Sequence, residues 1–253
     1  MFTFLTAEWR KLIMAQYEVP PELLLSHLPY GVELDLFQPT PSASPRCFVS
    51  LVGFLFDRVR IFGLSVPLHT SFEEVNLRFY VRRTLPDGTF RRGVVFLSEI
   101  VASPAITLIA RGLYGEPYTT APTDHLWARS AENPDHVEIT YSWKHHRLWQ
   151  SLAVRALDRP QPMPPGSLEE FITEHYWGYT RRPDGSTAEY GVEHPRWQLF
   201  PILQHRIACD FASLYGPDFA SLTGRPPVHL LLAEGSPVRI RWGEVLPLPT
   251  HEN

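Results

Sequence analysis

The chain has 253 residues, 44% hydrophobic, 13% aromatic and 20% charged, a length and composition that suit a β-rich protein with a sizeable core. Its formal charge of −4 gives no electrostatic reason to expect a nucleic-acid partner. The 25 prolines argue against long helices and for short strands joined by fixed turns. The first segment, Phe2 to Leu28, combines an extended stretch with a short helix that Pro20 and Pro21 can open. Glu8, Arg10 and Lys11 interrupt any apolar leader, so no signal peptide is expected. Pro39 to Pro45 reads as a loop, and Phe48 to Val59, apolar on both faces, as a buried strand. The longest apolar run, Cys47 to Phe56, is about half a membrane span, so no membrane association is expected.

Phe72 to Arg83 alternates, with Val75, Leu77, Phe79 and Val81 on one face and Glu74, Asn76, Arg78 and Tyr80 on the other. Pro86-Asp87-Gly88 is a turn, followed by a strand over Gly93 to Val101 that is apolar except at Ser98 and Glu99. Ser103 and Pro104 supply the cap and first residue of a helix ending near Leu113. Strands are predicted at His136 to Lys144 and Arg147 to Leu157. A Pro-rich stretch, 160–166, precedes a capping box, Ser167 with Glu170, that starts a helix to about His175. Pro183 to Gly185 is a second turn between short strands, and Glu234-Gly235-Ser236-Pro237 reads as the turn of a C-terminal hairpin. The expected class is α+β, mostly antiparallel, with about three short helices. One domain over residues 1–253 is expected, with 160–166 as the candidate boundary if it divides.

Familiar catalytic signatures are missing from the sequence. Cys47 and Cys209 form no disulfide framework and lack metal-ligand spacing; they read as buried reduced thiols of a cytoplasmic protein. His145 and His146 are adjacent, so on a strand they point oppositely and do not chelate one ion, and no metal site is expected. There is no Gly-x-Ser-x-Gly elbow and no glycine-rich phosphate loop, so no cofactor is expected.

Longer motifs are more informative. Phe4 to Arg10, His27 to Asp35, Phe72 to Val81, Leu113 to Tyr118, and the block from Glu174 through Thr180 with His194 to Trp197 closely resemble the uncharacterised YqjF-like family. That resemblance implies an acetoacetate decarboxylase-like fold, a partly closed antiparallel β-cone or barrel around a pocket. It also implies a tendency to form homo-oligomers. The decarboxylases of that fold use an arginine near the N-terminus, a glutamate on a core strand and a lysine that forms a Schiff base with the keto acid. By the matching motifs the arginine falls on Arg10 and the glutamate on Glu74, but Tyr118 stands where the lysine belongs. Tyrosine forms no imine, and neither lysine of the chain, Lys11 or Lys144, matches that position.

The sequence thus predicts a pocket for a small, partly apolar organic acid. Glu74 and Tyr118 are the expected acid–base pair, with Arg10, Asn76, Arg78 and Glu116 binding the ligand. The alternative is a non-catalytic binding or assembly protein that lost the family chemistry with the lysine. By alternation alone, the Glu74 face is either a solvated sheet surface or a cavity wall. Glu99 is either paired with Arg78 or Arg111 or at work. Glu116 and Tyr118 are either turn residues or part of the site. In the cavity reading, the charged ends of Arg10 and Glu74 are expected roughly 3–6 Å apart, with Tyr118 facing the same space.

Overall fold

The computed structural model describes residues 2–65, 70–131 and 133–248. Its main-sheet strands are β1 (Thr3–Glu18), β2 (Phe48–Ile61), β3 (Phe72–Thr84), β4 (Phe90–Val101) and β5 (Tyr118–Thr120). A second sheet uses β6 (Thr123–Arg129), β7 (His136–His145), β8 (Leu148–Leu157) and, later in the chain, β11 (Ile202–Ala208). Strands β9 (Trp177–Arg181), β10 (Thr187–Glu193) and β12 (His229–Arg241) rejoin the main sheet. The helices are short: α1 (Glu22–Leu25), α2 (Pro104–Tyr114), α3 (Leu168–Thr173) and α4 (Phe211–Tyr215), with a 3₁₀ turn at Pro217–Leu222. The expected caps form, as Ser103 Oγ accepts from Ile106 N and Ser167 Oγ from Glu170 N, both at 3.2 Å.

The expected mostly antiparallel α+β class holds. In the 13-stranded main sheet, β12, β1, β2, β3, β4, β9 and β10 follow one another, and β10 returns to β12 through Val192–Ile240 and Glu193–Arg239. The sheet therefore closes into a ring. Strands from both sides of segment 160–166 share it, because β9 pairs in parallel with β4 and β12 antiparallel with β1. The four-stranded sheet, ordered β11-β8-β7-β6, covers the outside of the ring.

Period-2 alternation then assigns each strand two environments. On β3, Val75, Leu77, Phe79 and Val81 face outward and pack with Ile139, Tyr141 and Trp143 of β7. On β2, Phe54 and Phe56 face inward and pack with Phe72, Val94, Ile106 of α2 and Trp197. Burying each such large side chain contributes roughly 1.5–3 kcal/mol.

One expectation fails along β12. No turn forms at 234–237; the strand runs through and pairs with β1 from Arg241 to His229. Gly235 instead sits at φ +84° opposite Arg10, where a Cβ would collide with the Trp9 carbonyl. On β1 the matching irregularity is Lys11, at φ +51°, with a register shift against β2 between Arg10 and Ile13. The Tyr141 hydroxyl reaches the carbonyl oxygens exposed there, 3.0 Å from Lys11 and 3.2 Å from Arg10. A turn signal in the sequence is here a paired bulge. The polar end His251-Glu252-Asn253 lies outside the described residues.

Candidate functional site

Inside the ring is a cavity of about 100 Å³, room for several waters or a small ligand. Alternation along β3 turns Glu74, Asn76 and Arg78 into it, and the antiparallel register sets Glu99 of β4 beside Asn76. Strand β5 runs parallel to β4 with Tyr118 opposite Glu99, which carries Tyr118 and, across Pro117, Glu116 to the same wall. From β10 comes Tyr190, which packs so closely on β9 that a Cβ at Gly178 would overlap its ring. Only glycine leaves room for that phenol. Trp9, Phe54, Phe56, Phe72, Phe96 and Trp197 supply apolar walls.

The polar groups form a connected network. Glu74 accepts from Asn76 Nδ2 at 2.9 Å through one oxygen and from the Tyr118 hydroxyl at 2.8 Å through the other. The Tyr190 hydroxyl donates to Glu116, and Glu116 and Glu99 hydrogen-bond each other. Burial pushes the Glu74 carboxyl up to about 7, against the lowering pull of Asn76, Tyr118 and the Arg78 charge. Burial, with the Glu74 charge, likewise raises Glu116 to about 7 despite the bonds from Tyr190, Glu99 and Thr180. Glu99 is held well above the carboxylate range, first by burial and then by the charges of Glu116 and Glu74. It is therefore the member of the cluster that keeps its proton and donates it to Glu116. Burial and the surrounding carboxylates also hold Tyr118 in its phenol form.

Among the described residues, Arg78 is the only arginine or lysine lining the cavity. Its guanidinium hydrogen-bonds the Tyr80 hydroxyl and makes a long contact, 3.7 Å, from Nη2 to the Met14 sulfur, while its Nε is buried without a partner in the chain. Trp9 Nε1, Asn76 Oδ1, Glu99 Oε2 and His175 Nδ1 are orphaned in the same way, and all of these residues line the cavity. Buried polar atoms are ordinarily satisfied, and the cavity has room for waters or a small ligand to meet these atoms.

The structure thus brings together Glu74, Asn76, Arg78, Glu116 and Tyr118, but not Arg10. The expected Arg10–Glu74 approach does not form. Arg10 lies on the opposite parity of β1 from Trp9, which lines the cavity, and its guanidinium pairs with Glu8 and, at 3.9 Å, with Glu234. Lys11, at the bulge, takes Glu234 at 2.6 Å. Sequence reasoning left Tyr190, His175 and Trp9 out of the site. Glu99 had a signal, a carboxylate on an otherwise apolar strand; Tyr190 and Trp9 look like any other aromatic residues. Among the described residues, no group of three or more His, Cys, Asp or Glu is arranged to hold a metal ion.

A ring of mostly antiparallel strands is the architecture of the acetoacetate decarboxylase-like fold, and solved structures bear out the fold. The decarboxylase from Legionella pneumophila aligns with a TM-score of 0.62 at 15% identity, covering 98% of this chain and 90% of that one. The acetoacetate decarboxylase-like enzyme from Sphingomonas wittichii RW1 aligns at 0.63 and 12% identity, covering 97% and 94%. The enduracididine biosynthesis enzyme MppR, complexed with the condensation product of pyruvate and imidazole 4-carboxaldehyde, aligns at 0.65 and 11%, covering 97% and 90%. Residues 6–237 match the model of DUF2071, a family of uncharacterised conserved proteins, and the chain belongs to that family. No curated protein matches the sequence. No helix among the described residues is long and apolar enough to cross a membrane.

Proposed function

We propose that the cavity binds a small, partly apolar organic acid, with its carboxylate on Arg78 and with Glu74 and Tyr118 exchanging a proton with it. The observation that carries this reading is the set of orphaned polar atoms gathered around a lone guanidinium inside apolar walls. Arg78 replaces Arg10 as the carboxylate clamp, because guanidinium–carboxylate pairs are strong and geometrically selective. Glu74 is suited to acid–base work because its carboxyl is held at about 7, where it gives and takes protons readily at neutral pH. Tyr118 donates, and Asn76 and Glu116 orient the ligand. Enolisation or elimination fits these groups. A second reading, a binding protein without catalysis, is favoured by one feature: no lysine lines the cavity among the described residues.

Thermal-shift or native-mass screening against keto, hydroxy and aromatic acids tests the binding step. We expect small acids to bind wild type and to lose about a hundredfold in affinity in Arg78→Ala, with Arg10→Ala unaffected. Because binding an anion beside Glu74 and Glu116 raises their proton affinity further, binding takes up protons. Calorimetry in buffers of different ionisation enthalpy reads that uptake. Incubation of a bound acid in heavy water separates the readings: deuterium gained by wild type but not by Glu74→Gln supports catalysis, and no gain in either supports the binder. Full affinity in Arg78→Ala overturns the proposal.

A further inference from the structure

His175 lines the same cavity yet forms no hydrogen bond with Glu74, Glu99 or Glu116. It follows α3, and its ring packs against both Tyr80 and Phe171, with centroids 4.8 Å and 5.1 Å away. Its Nε2 lies 3.0 Å from Asp35 Oδ2, which also accepts from Arg92 Nε at 2.6 Å. The Asp35 backbone is tied in turn to β3, through its N–H to the Tyr80 carbonyl at 3.0 Å. Asp35 and Arg92 line a groove on the outside of the protein, whereas His175 lines the cavity. The imidazole therefore spans the wall between the two spaces.

These contacts fix where its proton sits. Burial alone would raise Asp35, but the hydrogen bonds from His175 and Arg92 and the Arg92 charge hold the carboxyl below its ordinary value, so it stays ionised. Burial pushes the imidazole down to about 4, against the pull of Asp35, so the ring is neutral and carries one N–H. A carboxylate only accepts, so that hydrogen is on Nε2 and donates to Asp35. Nδ1 is left as a lone pair, buried and without a partner among the described residues. With Asn76 Oδ1 it is one of two orphaned atoms on residues of the cavity wall that can only accept, and it belongs to the one ring that is fixed from behind by Asp35. An acceptor left dry is costly.

We propose that His175 Nδ1 accepts a hydrogen bond from a hydroxyl of the bound acid, so that the cavity selects hydroxy acids over the matching keto and unsubstituted acids. This rests on the organic-acid reading above and adds the second recognition point. A keto oxygen is itself an acceptor and would face the Nδ1 lone pair; an unsubstituted acid would leave it unpaired. His175 is thus a specificity-determining residue, and Asp35 a positioning residue that fixes its tautomer.

The test measures the affinity of two series for the full chain: lactate, pyruvate and propanoate, then mandelate, phenylglyoxylate and phenylacetate. In wild type each hydroxy acid is expected to bind about tenfold or more tightly than its two counterparts. In His175→Phe, which keeps an aromatic ring against Tyr80 and Phe171, that ratio should fall to about one while propanoate and phenylacetate bind as before. A failure of all six acids overturns the organic-acid reading on which the inference stands. Equal binding within each series overturns the hydroxyl assignment alone, as does a hydroxy preference that survives His175→Phe. Should that variant not fold, ¹⁵N NMR of wild type decides the matter. The expected spectrum shows the His175 proton on Nε2 and an Nδ1 signal that moves on adding lactate or mandelate; a proton on Nδ1 overturns the proposal.

Discussion

On β3, the outward side chains Val75, Leu77 and Phe79 are 0% exposed and meet apolar residues of the four-stranded sheet, whereas the inward Glu74, Asn76 and Arg78 are 2%, 1% and 9% exposed. Both faces are buried, so exposure alone does not separate them. They differ in satisfaction. The outward face leaves nothing unpaired along β3, while the inward face gathers carboxyls pushed up to about 7 and orphaned atoms on Asn76 and Arg78. A protein built only for stability does better with apolar groups at such positions. The outward face thus supplies the stability against which the inward face holds groups that folding alone disfavours.

Truncating the outward face should give the largest effect. Phe79→Ala is expected to cost about 3–5 kcal/mol in urea unfolding, the range for a fully buried aromatic. Acid binding to the folded variant should stay unchanged, because the ring points away from the cavity. Weakened binding would break the comparison by showing that the two faces are coupled through the strand.

The inward face is read through pH. Glu74 and Glu116 are raised from an ordinary 4.5 to about 7 in the fold, so folded protein holds protons that the unfolded chain has released. Their effect on stability is absent below about 4.5, grows unfavourable as the pH rises, and is complete above about 7. Urea midpoints should therefore fall between about pH 5 and pH 8. Glu74→Gln should flatten that slope and leave the variant more stable than wild type at the alkaline end. Phe79→Ala should lower the whole curve without changing its shape. A flat wild-type profile would mean that these carboxyls are not held protonated.

How much of this was legible follows from the same alternation. The two faces of Phe72–Thr84 can be read directly because side chains on a strand alternate, and Val75, Leu77, Phe79 and Val81 leave no doubt which side seeks a core. What closes the Glu74 face is non-local: the ring depends on β10 returning to β12, through pairs such as Val192–Ile240 that no local pattern announces. The carboxyl cluster has the same origin, since Glu74, Glu99 and Glu116 meet only through the β3–β4 and β4–β5 registers. In the sequence His175 stands only at the end of a predicted helix and within the Glu174–Thr180 block; its partner Asp35 lies 140 positions away in a loop. The misreading at 234–237 has a local cause, because Glu-Gly-Ser-Pro serves a bulge as well as a turn.

The smallest expected effect belongs to the residue on which the motif resemblance placed most weight. Arg10 is the motif match to the decarboxylase arginine, yet its side chain is 35% exposed and sits in a chain of surface charges with Glu8, Glu234, Lys11 and Arg58. Losing Arg10 leaves neither acid alone. Glu8 keeps Arg58 at 2.8 Å, and Glu234 keeps Lys11 at 2.6 Å. Exposed pairs of this kind are worth about 0–1 kcal/mol, less in salt, so Arg10→Ala should stay within that range and converge on wild type as ionic strength rises. Its neighbour Trp9 lies on the inward parity, lines the cavity and packs edge-on against Phe54 and Trp197. One step along β1 therefore separates a replaceable charge from a cavity wall. The comparison sharpens if Arg10→Ala leaves stability and acid affinity near wild type. It breaks if Arg10→Ala abolishes acid binding, for the guanidinium would then have to reach the cavity from the outer side of β1.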